Sequence, residues 1–266
     1  SGTANGQIVD SPRGKAMSGV RADPVGSSAL IYNPAGLSRS YMYVVEGQYF
    51  RAGPNNQNAL AVNIIDSKAQ PQLATGLSYG FQFTDGDPDV SEKGHDVRLG
   101  FAHPAVPDRL HVGIGLRYLS IDRSGGNVSN LEGFALDAGL LLLLGGGLQL
   151  GLVGENLVDI DDPALPRRAG GALAYAGQFI VLDVDVMMDF ESHEDGAKPV
   201  IATGMEFLVG GSVPFRVGYI HNVAREDAWV SGGIGFVTGA QSQGGQLSLA
   251  YRHNLEYTEL FEFGLA

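Results

Sequence analysis

The chain has 266 residues, of which 44% are hydrophobic and 17% charged, with 39 glycines, no cysteine and a formal net charge of −12. The hydrophobic share excludes a disordered chain, the acidic balance without Lys/Arg clusters excludes a nucleic-acid binder, and the missing thiols exclude disulfides, thiolate metal sites and a lipidated cysteine. A mean hydropathy of +0.03 leaves a transmembrane barrel open, because an apolar outside and a polar inside average out.

No Pro/Ser linker or charge block divides the chain after residue 40, so it reads as one β unit, 41–266, behind an N-terminal segment, 1–40. Ser1 is read as the start of a mature chain after removal of a leader.

The stretch from Arg13 to Leu37 has neither helical period nor strand alternation, yet everything after Tyr41 reads as strands with nothing left to cover them. It must therefore pack inside those strands. It carries Gly14, Ala16, Met17, Gly19, Ala22 and Asp23, then Ser28, Ala29, Tyr32 and Asn33-Pro34-Ala35-Gly36-Leu37. This spaced set resembles the N-terminal hatch of the FadL-type outer-membrane transporters and the related PorV/PorQ proteins. The resemblance implies a fourteen-stranded outer-membrane barrel whose lumen is plugged by residues 1–40. Gly14, Gly19, Asp23, Asn33, Pro34, Ala35 and Gly36 would be its hatch motif. Asn33-Pro34 is a stiff corner in any case, since proline restricts itself and the residue before it. A second match lies in Gly154-Glu155-Asn156-Leu157, Leu165-Pro166, the pair Gly204 and Glu206, and Arg216-Val217-Gly218-Tyr219, which look like PorV/PorQ barrel strands.

The predicted strands run 41–52, 58–66, 72–83, 95–103, 108–121, 131–143, 147–157, 167–176, 178–189, 199–210, 213–221, 228–237, 244–253 and 257–266. Their length of about ten residues suits a tilted membrane strand. The apolar run Phe134 to Gly154 competes as a membrane helix, but Asp137, Gln149 and Gly145 to Gly147 break it into strand, turn and strand. Alternation assigns the faces. Leu110, Val112, Ile114, Leu116 and Tyr118 share one side, and His111, Gly113, Gly115 and Arg117 the other. Gly76, Gly80, Gly100, Gly113, Gly115, Gly139, Gly151, Gly170, Gly204, Gly218, Gly233 and Gly235 fall on the inward face. They either leave room for the N-terminal segment or only permit the wall to curve.

Even-numbered turns are mostly short, such as Pro104 to Pro107, Ala176-Gly177 and Gly211-Ser212, and odd-numbered ones longer, which places both termini in the periplasm. A two-residue turn at Ala176-Gly177 would set Arg168 opposite Asp185. Strands meeting at Gly211 would set Glu206 opposite Arg216, and Arg117 with Asp137 would make a third inward pair. Such pairs brace the wall or line a path. The outer loops are acidic: Asp85, Asp87, Asp89 and Glu92; Asp159, Asp161 and Asp162; Glu191, Glu194 and Asp195. The first starts like a calcium loop, but Val90 and Lys93 occupy the glycine and ligand slots. No specific metal is expected; divalent bridging to lipopolysaccharide or plain solvation fits the acids better. Aromatics near strand ends, among them Tyr41, Tyr43, Phe81, Phe83, Tyr118, Tyr175, Phe207 and Phe236, are candidates for interfacial girdles. The ending Phe263-Gly264-Leu265-Ala266 departs from the terminal aromatic of outer-membrane barrels.

No nucleophile elbow, phosphate loop or zinc-spaced histidine pair occurs, so neither an enzyme nor a cofactor is expected. The FadL resemblance implies passive passage of small hydrophobic, fatty-acid-like molecules across the outer membrane. The alternative is a PorV-like scaffold that moves no cargo and anchors or shuttles another envelope protein. The partners expected are outer-membrane lipid and lipopolysaccharide, with either a hydrophobic small molecule or an envelope protein, and no nucleic acid.

Overall fold

The computed structural model describes residues 9–84, 91–124, 130–158, 165–240 and 243–266. Seven strands form the first half: β1 (Tyr43–Gly53), β2 (Gln57–Asp66), β3 (Ala74–Thr84), β4 (Ser91–Val106), β5 (Leu110–Ser124), β6 (Leu131–Gly145) and β7 (Leu148–Glu155). The second half is β8 (Arg168–Ala176), β9 (Ile180–Asp189), β10 (Lys198–Val209), β11 (Val213–Asn222), β12 (Asp227–Ala240), β13 (Gln243–Asn254) and β14 (Phe261–Leu265). Each pairs antiparallel with the next, and β14 returns to β1 from Tyr49↔Leu265 to Gly53↔Phe261, closing a fourteen-stranded barrel. Closure satisfies every edge, which a lipid-exposed sheet requires.

Side-chain parity follows the alternation of the sequence. In β5 Leu116 is 45% exposed on the outside while Arg117 next to it is 4% exposed on the inside. In β9 Leu182, Val184 and Val186 face out and Asp183, Asp185 and Asp189 are buried. The outward residues form a continuous apolar belt that water would not cover, so the barrel spans a membrane. Aromatics gather at both ends of this belt. Phe81 and Phe83 with His95, Tyr118 with Phe134, and Tyr251 with Phe261 stack at the end of the odd-numbered loops. Tyr43, Tyr175, Phe207, Phe215 and Phe236 are exposed at the other.

Several strand ends differ from expectation by two to four residues, and three of them have a local cause. β4 continues through Pro104, read from sequence as a turn. A bulge between Pro104 and Val106 absorbs the missing N–H, and the turn falls at Pro107 to Arg109. The β8–β9 turn holds four residues rather than two, closed by the Gly177 N–H on the Ile180 carbonyl at 2.8 Å. β14 starts four residues late because the Asn254 side chain accepts the N–H groups of Glu256 and Tyr257 and turns the chain there.

Ahead of β1, α1 (Pro12–Met17) and α2 (Ser27–Tyr32) precede a 3-10 turn, Pro34–Ser38. Ser11 starts α1, its hydroxyl accepting the Gly14 N–H at 2.9 Å with Pro12 at the first position. Asn33 starts the 3-10 turn in the same way, accepting the Ala35 N–H at 3.1 Å. The faces of this segment pack on the inner wall. Leu30 and Leu37 meet Ile65, Ala74 and Ala102, Val9 meets Phe50, Ala59 and Ala61, and Ala22 meets Ala172 and Ala174. Backbone meets backbone at several strand glycines: a Cβ on Gly113 would collide with the backbone of Pro34 and Ala35, and one on Gly204 or Gly218 with the backbone of Met17. Gly76, Gly80, Gly100, Gly139, Gly151 and Gly233 also face the segment, whereas Gly115, Gly170 and Gly235 face only wall residues. Room for a neighbouring chain, more than curvature, explains the inward glycines.

Candidate functional site

The N-terminal segment brings cations into a wall that supplies carboxylates. Asp23 is the hub of one network: its carboxylate accepts Arg13 Nη2 at 2.6 Å, Gln149 Nε2 at 3.2 Å and Arg39 Nη1. Its own N–H donates to Asp183 Oδ2 at 3.0 Å. Burial alone would raise the Asp23 pKa, but the guanidinium groups of Arg13 and Arg39 outweigh it and hold the carboxylate below its usual range. Arg13 also reaches Glu206 at 3.3 Å, and Glu206 takes Arg216 Nε at 2.5 Å.

Arg21 makes the second grip. Nε and Nη2 donate to Glu155 Oε1 at 2.8 and 2.6 Å, and Nη1 donates to Asp185 Oδ2 at 2.9 Å. The guanidinium lies 5.1 Å from the Tyr32 ring. Tyr32 donates its hydroxyl to Asp10 at 2.8 Å, and burial with that acidic partner pushes the phenol pKa well up. Lys15, fully buried, ion-pairs with Glu262, which also accepts Arg252 Nη2 at 2.7 Å. Neutral contacts complete the set. Ser231 donates to the Ala16 carbonyl at 2.8 Å, and the Asn33 amide donates to Arg21 O at 2.9 Å and Leu140 O at 3.3 Å.

The predicted residues are thus distributed unevenly. Asp23 and Asn33 sit at the centre of these contacts, Gly14 lies under the Tyr32 ring, Gly19 beside Asp185, and Gly36 against Pro24, while Pro34 and Ala35 press on Gly113 and are buried. Glu206 and Arg216 face each other in register as expected. Arg168 does not meet Asp185: the turn starts one residue later and is two residues longer than expected, which sets Arg168 opposite Asp189, 3.1 Å away, and leaves Asp185 to Arg21. Arg117 pairs with Asp96 at 2.7 Å, joined there by Arg98, because the β5–β6 register puts Asp137 opposite Gly115. Asp137 accepts the Asn156 N–H at 2.8 Å instead. Sequence reasoning missed Lys15, Arg21, Arg39, Asp96, Asp189 and Glu262. The available signal was parity: each strand acid among them lies on an inward position of its strand.

A chamber of about 190 Å³ opens beside these pairs. Charged groups such as Arg21, Arg98, Arg168, Asp137 and Asp227 line most of it, and Ile31, Met187, Val200, Ala202 and Ile220 make an apolar strip. Of the acidic loops, Asp85, Asp87, Asp89, Asp159, Asp161 and Asp162 lie outside the described residues. Glu92 accepts Gln57 Nε2 at 2.7 Å and Glu191 pairs with Arg167. Among the described residues, no group of three acids or histidines is placed to hold a metal ion.

No protein-family model and no curated protein matches the sequence. Solved structures do match the fold. The CymD monoaromatic hydrocarbon channel superposes with a TM-score of 0.70 at 14% identity, covering 98% of this chain and 96% of its own. The fold here is that of the FadL-type barrels. The toluene transporter TbuX of Ralstonia pickettii gives 0.68 at 13% identity, with 96% and 95% covered. A FadL homologue of Pseudomonas aeruginosa gives 0.67 at 12% identity, with 96% and 97% covered. The chain therefore spans nearly the whole of these FadL-type structures.

Proposed function

We propose that this FadL-type barrel sits in the outer membrane and lets small hydrophobic molecules cross it passively, with residues 1–40 as a hatch and residues 41–266 as the wall. The observation that carries the reading is the position of Arg21, Asp23 and Asn33. Arg21 borders the chamber, while Gln149, bound to Asp23, borders a second cavity at the short-turn end. The segment lines both, with Arg21 and Tyr32 in the chamber and Arg39 in the second cavity, and on this reading its displacement joins them. The strip of Ile31, Met187, Val200 and Ile220 offers an apolar molecule a surface within the otherwise charged chamber. Passage needs no energy source, and no catalytic group is called upon. Both termini are assigned to the periplasm, with the acidic odd-numbered loops towards lipopolysaccharide.

The test is uptake of radiolabelled toluene and of a labelled medium-chain fatty acid by vesicles holding the purified barrel, against empty vesicles and a barrel locked by a cysteine pair between segment and wall. Uptake by the free barrel and not the locked one is expected. Equal uptake in all three, from protein that resists denaturation like a folded barrel, overturns the reading and favours the scaffold alternative.

A further inference from the structure

At the short-turn end the β6–β7 hairpin overhangs its neighbour. β5 begins at Leu110, opposite Leu142, but β6 runs on to Gly145, tied across only by the Leu143 N–H on the Arg109 carbonyl at 2.7 Å. The notch beside this overhang is a cavity of about 580 Å³. Its two sides differ in chemistry. Leu142, Leu144 and Leu148 stand at outward positions and continue the apolar belt, Leu144 being 54% and Leu148 45% exposed. Across the rim stand Arg39, Arg109 and Gln149.

These polar groups have capacity to spare. The exposed Arg109 guanidinium makes no hydrogen bond or ion pair among the described residues. Arg39 spends one nitrogen on Asp23. Asp108 shares the rim and Asp23 holds one side of Arg39, so Arg109 is the guanidinium left without a carboxylate contact among the described residues.

A leucine ridge ending at two guanidiniums has the form of a receptor for an oxyanion with an apolar tail. It lies where the hydrocarbon belt gives way to water, the height at which a bilayer presents its phosphates. We propose that this notch is a lipid site: the phosphate of one anionic phospholipid lies between Arg109 and Arg39, and an acyl chain runs down Leu142, Leu144 and Leu148. Guanidinium suits this task because its planar fork matches a phosphate's oxygens. The site stands whether or not the lumen passes cargo.

Native mass spectrometry of the intact barrel, released from neutral detergent with phosphatidylglycerol, phosphatidylcholine or inorganic phosphate added, reads the site directly. One phosphatidylglycerol should be retained at lipid levels where phosphatidylcholine is stripped. Arg109→Gln should weaken that retention about tenfold, the effect of one charge-assisted contact. Leu144→Asn, which takes apolar contact from the tail and adds no charge near the head, should weaken it as well. Arg51→Gln, at an exposed arginine of the opposite rim, should leave it unchanged. Retention that survives Arg109→Gln, falls equally with Arg51→Gln, or is abolished by millimolar inorganic phosphate overturns the proposal, the last because the notch would then read a bare oxyanion.

Discussion

Replacing Arg21 by Met keeps most of the side chain's volume and removes its charge. Glu155 and Asp185, with side chains 13% and 1% exposed, then lose the cation that binds both. Stranding a buried carboxylate costs about 3–5 kcal/mol. The lower end applies here because the chamber admits water to one side of Glu155. A loss of about 3 kcal/mol raises the open population of the segment roughly a hundredfold. Amide hydrogen exchange over Met17 to Asn33, measured in lipid nanodiscs, should speed up by that factor while strand amides stay protected. Adding Glu155→Gln and Asp185→Asn removes the stranded charges and should return most of the protection. Exchange within threefold of the parent in the single variant, or no recovery in the triple one, would refute the idea that this cation holds the segment to the wall.

Gly113→Val places a side chain against the backbone of Pro34 and Ala35, which cannot yield as a flexible side chain can; thermal unfolding should fall by the equivalent of about 1–3 kcal/mol, and Gly115→Val, facing only Asp137, should fall less. A double-mutant cycle on Arg168 and Asp189 should give a coupling of a few tenths to about 1 kcal/mol at the partly exposed arginine, and the same cycle with Asp185 close to zero. Because the folded pKa of Asp23 is depressed, its contribution is complete above the unfolded value of about 3.9 and is lost as pH falls through the lower folded value. The difference in urea midpoint between parent and Asp23→Asn should therefore be largest near neutral pH and shrink below about pH 4; a difference independent of pH over that range speaks against the ionised hub.

Which face each side chain takes was legible because barrel strands repeat every two residues and a register error by an even number leaves that parity intact. Asp183, Asp185 and Asp189 are inward under either turn length at Gly177. Which acid meets which base was not legible there. A turn that begins one residue later and is two residues longer moves each partner by four positions and carries Arg168 from Asp185 to Asp189, and Gly177-Gln178-Phe179-Ile180 gives no sign of where it starts or how long it is. The three-residue link Gly210 to Ser212 is stricter, with two glycines at positive φ, and there Glu206 and Arg216 fell into place. Contacts of the N-terminal segment lie further out of reach. Lys15 and Glu262 are 247 residues apart, and nothing local relates them. The segment itself betrayed only that cations stand in a stretch otherwise small and apolar, where a charge needs a partner.

That composition has a consequence for how the segment is held. A helix-rich plug of large apolar residues would be fixed by buried area at about 25 cal/mol per Å², but α1 and α2 are six residues each and offer few large side chains beyond Met17, Leu30 and Ile31. Much of the surface is instead backbone laid against glycine, which gives close fit and little apolar area. Specificity then falls to the charges, placed where wall carboxylates stand: Arg13 on Glu206, Lys15 on Glu262, Arg21 on Glu155 and Asp185. Paired charges contribute less net stability than the same volume of packed hydrocarbon, since both partners surrender hydration. Around a chamber lined by charged side chains they also regain hydration on separation, so a segment held this way separates from its wall more readily than one buried in grease, which is the property a passive gate requires.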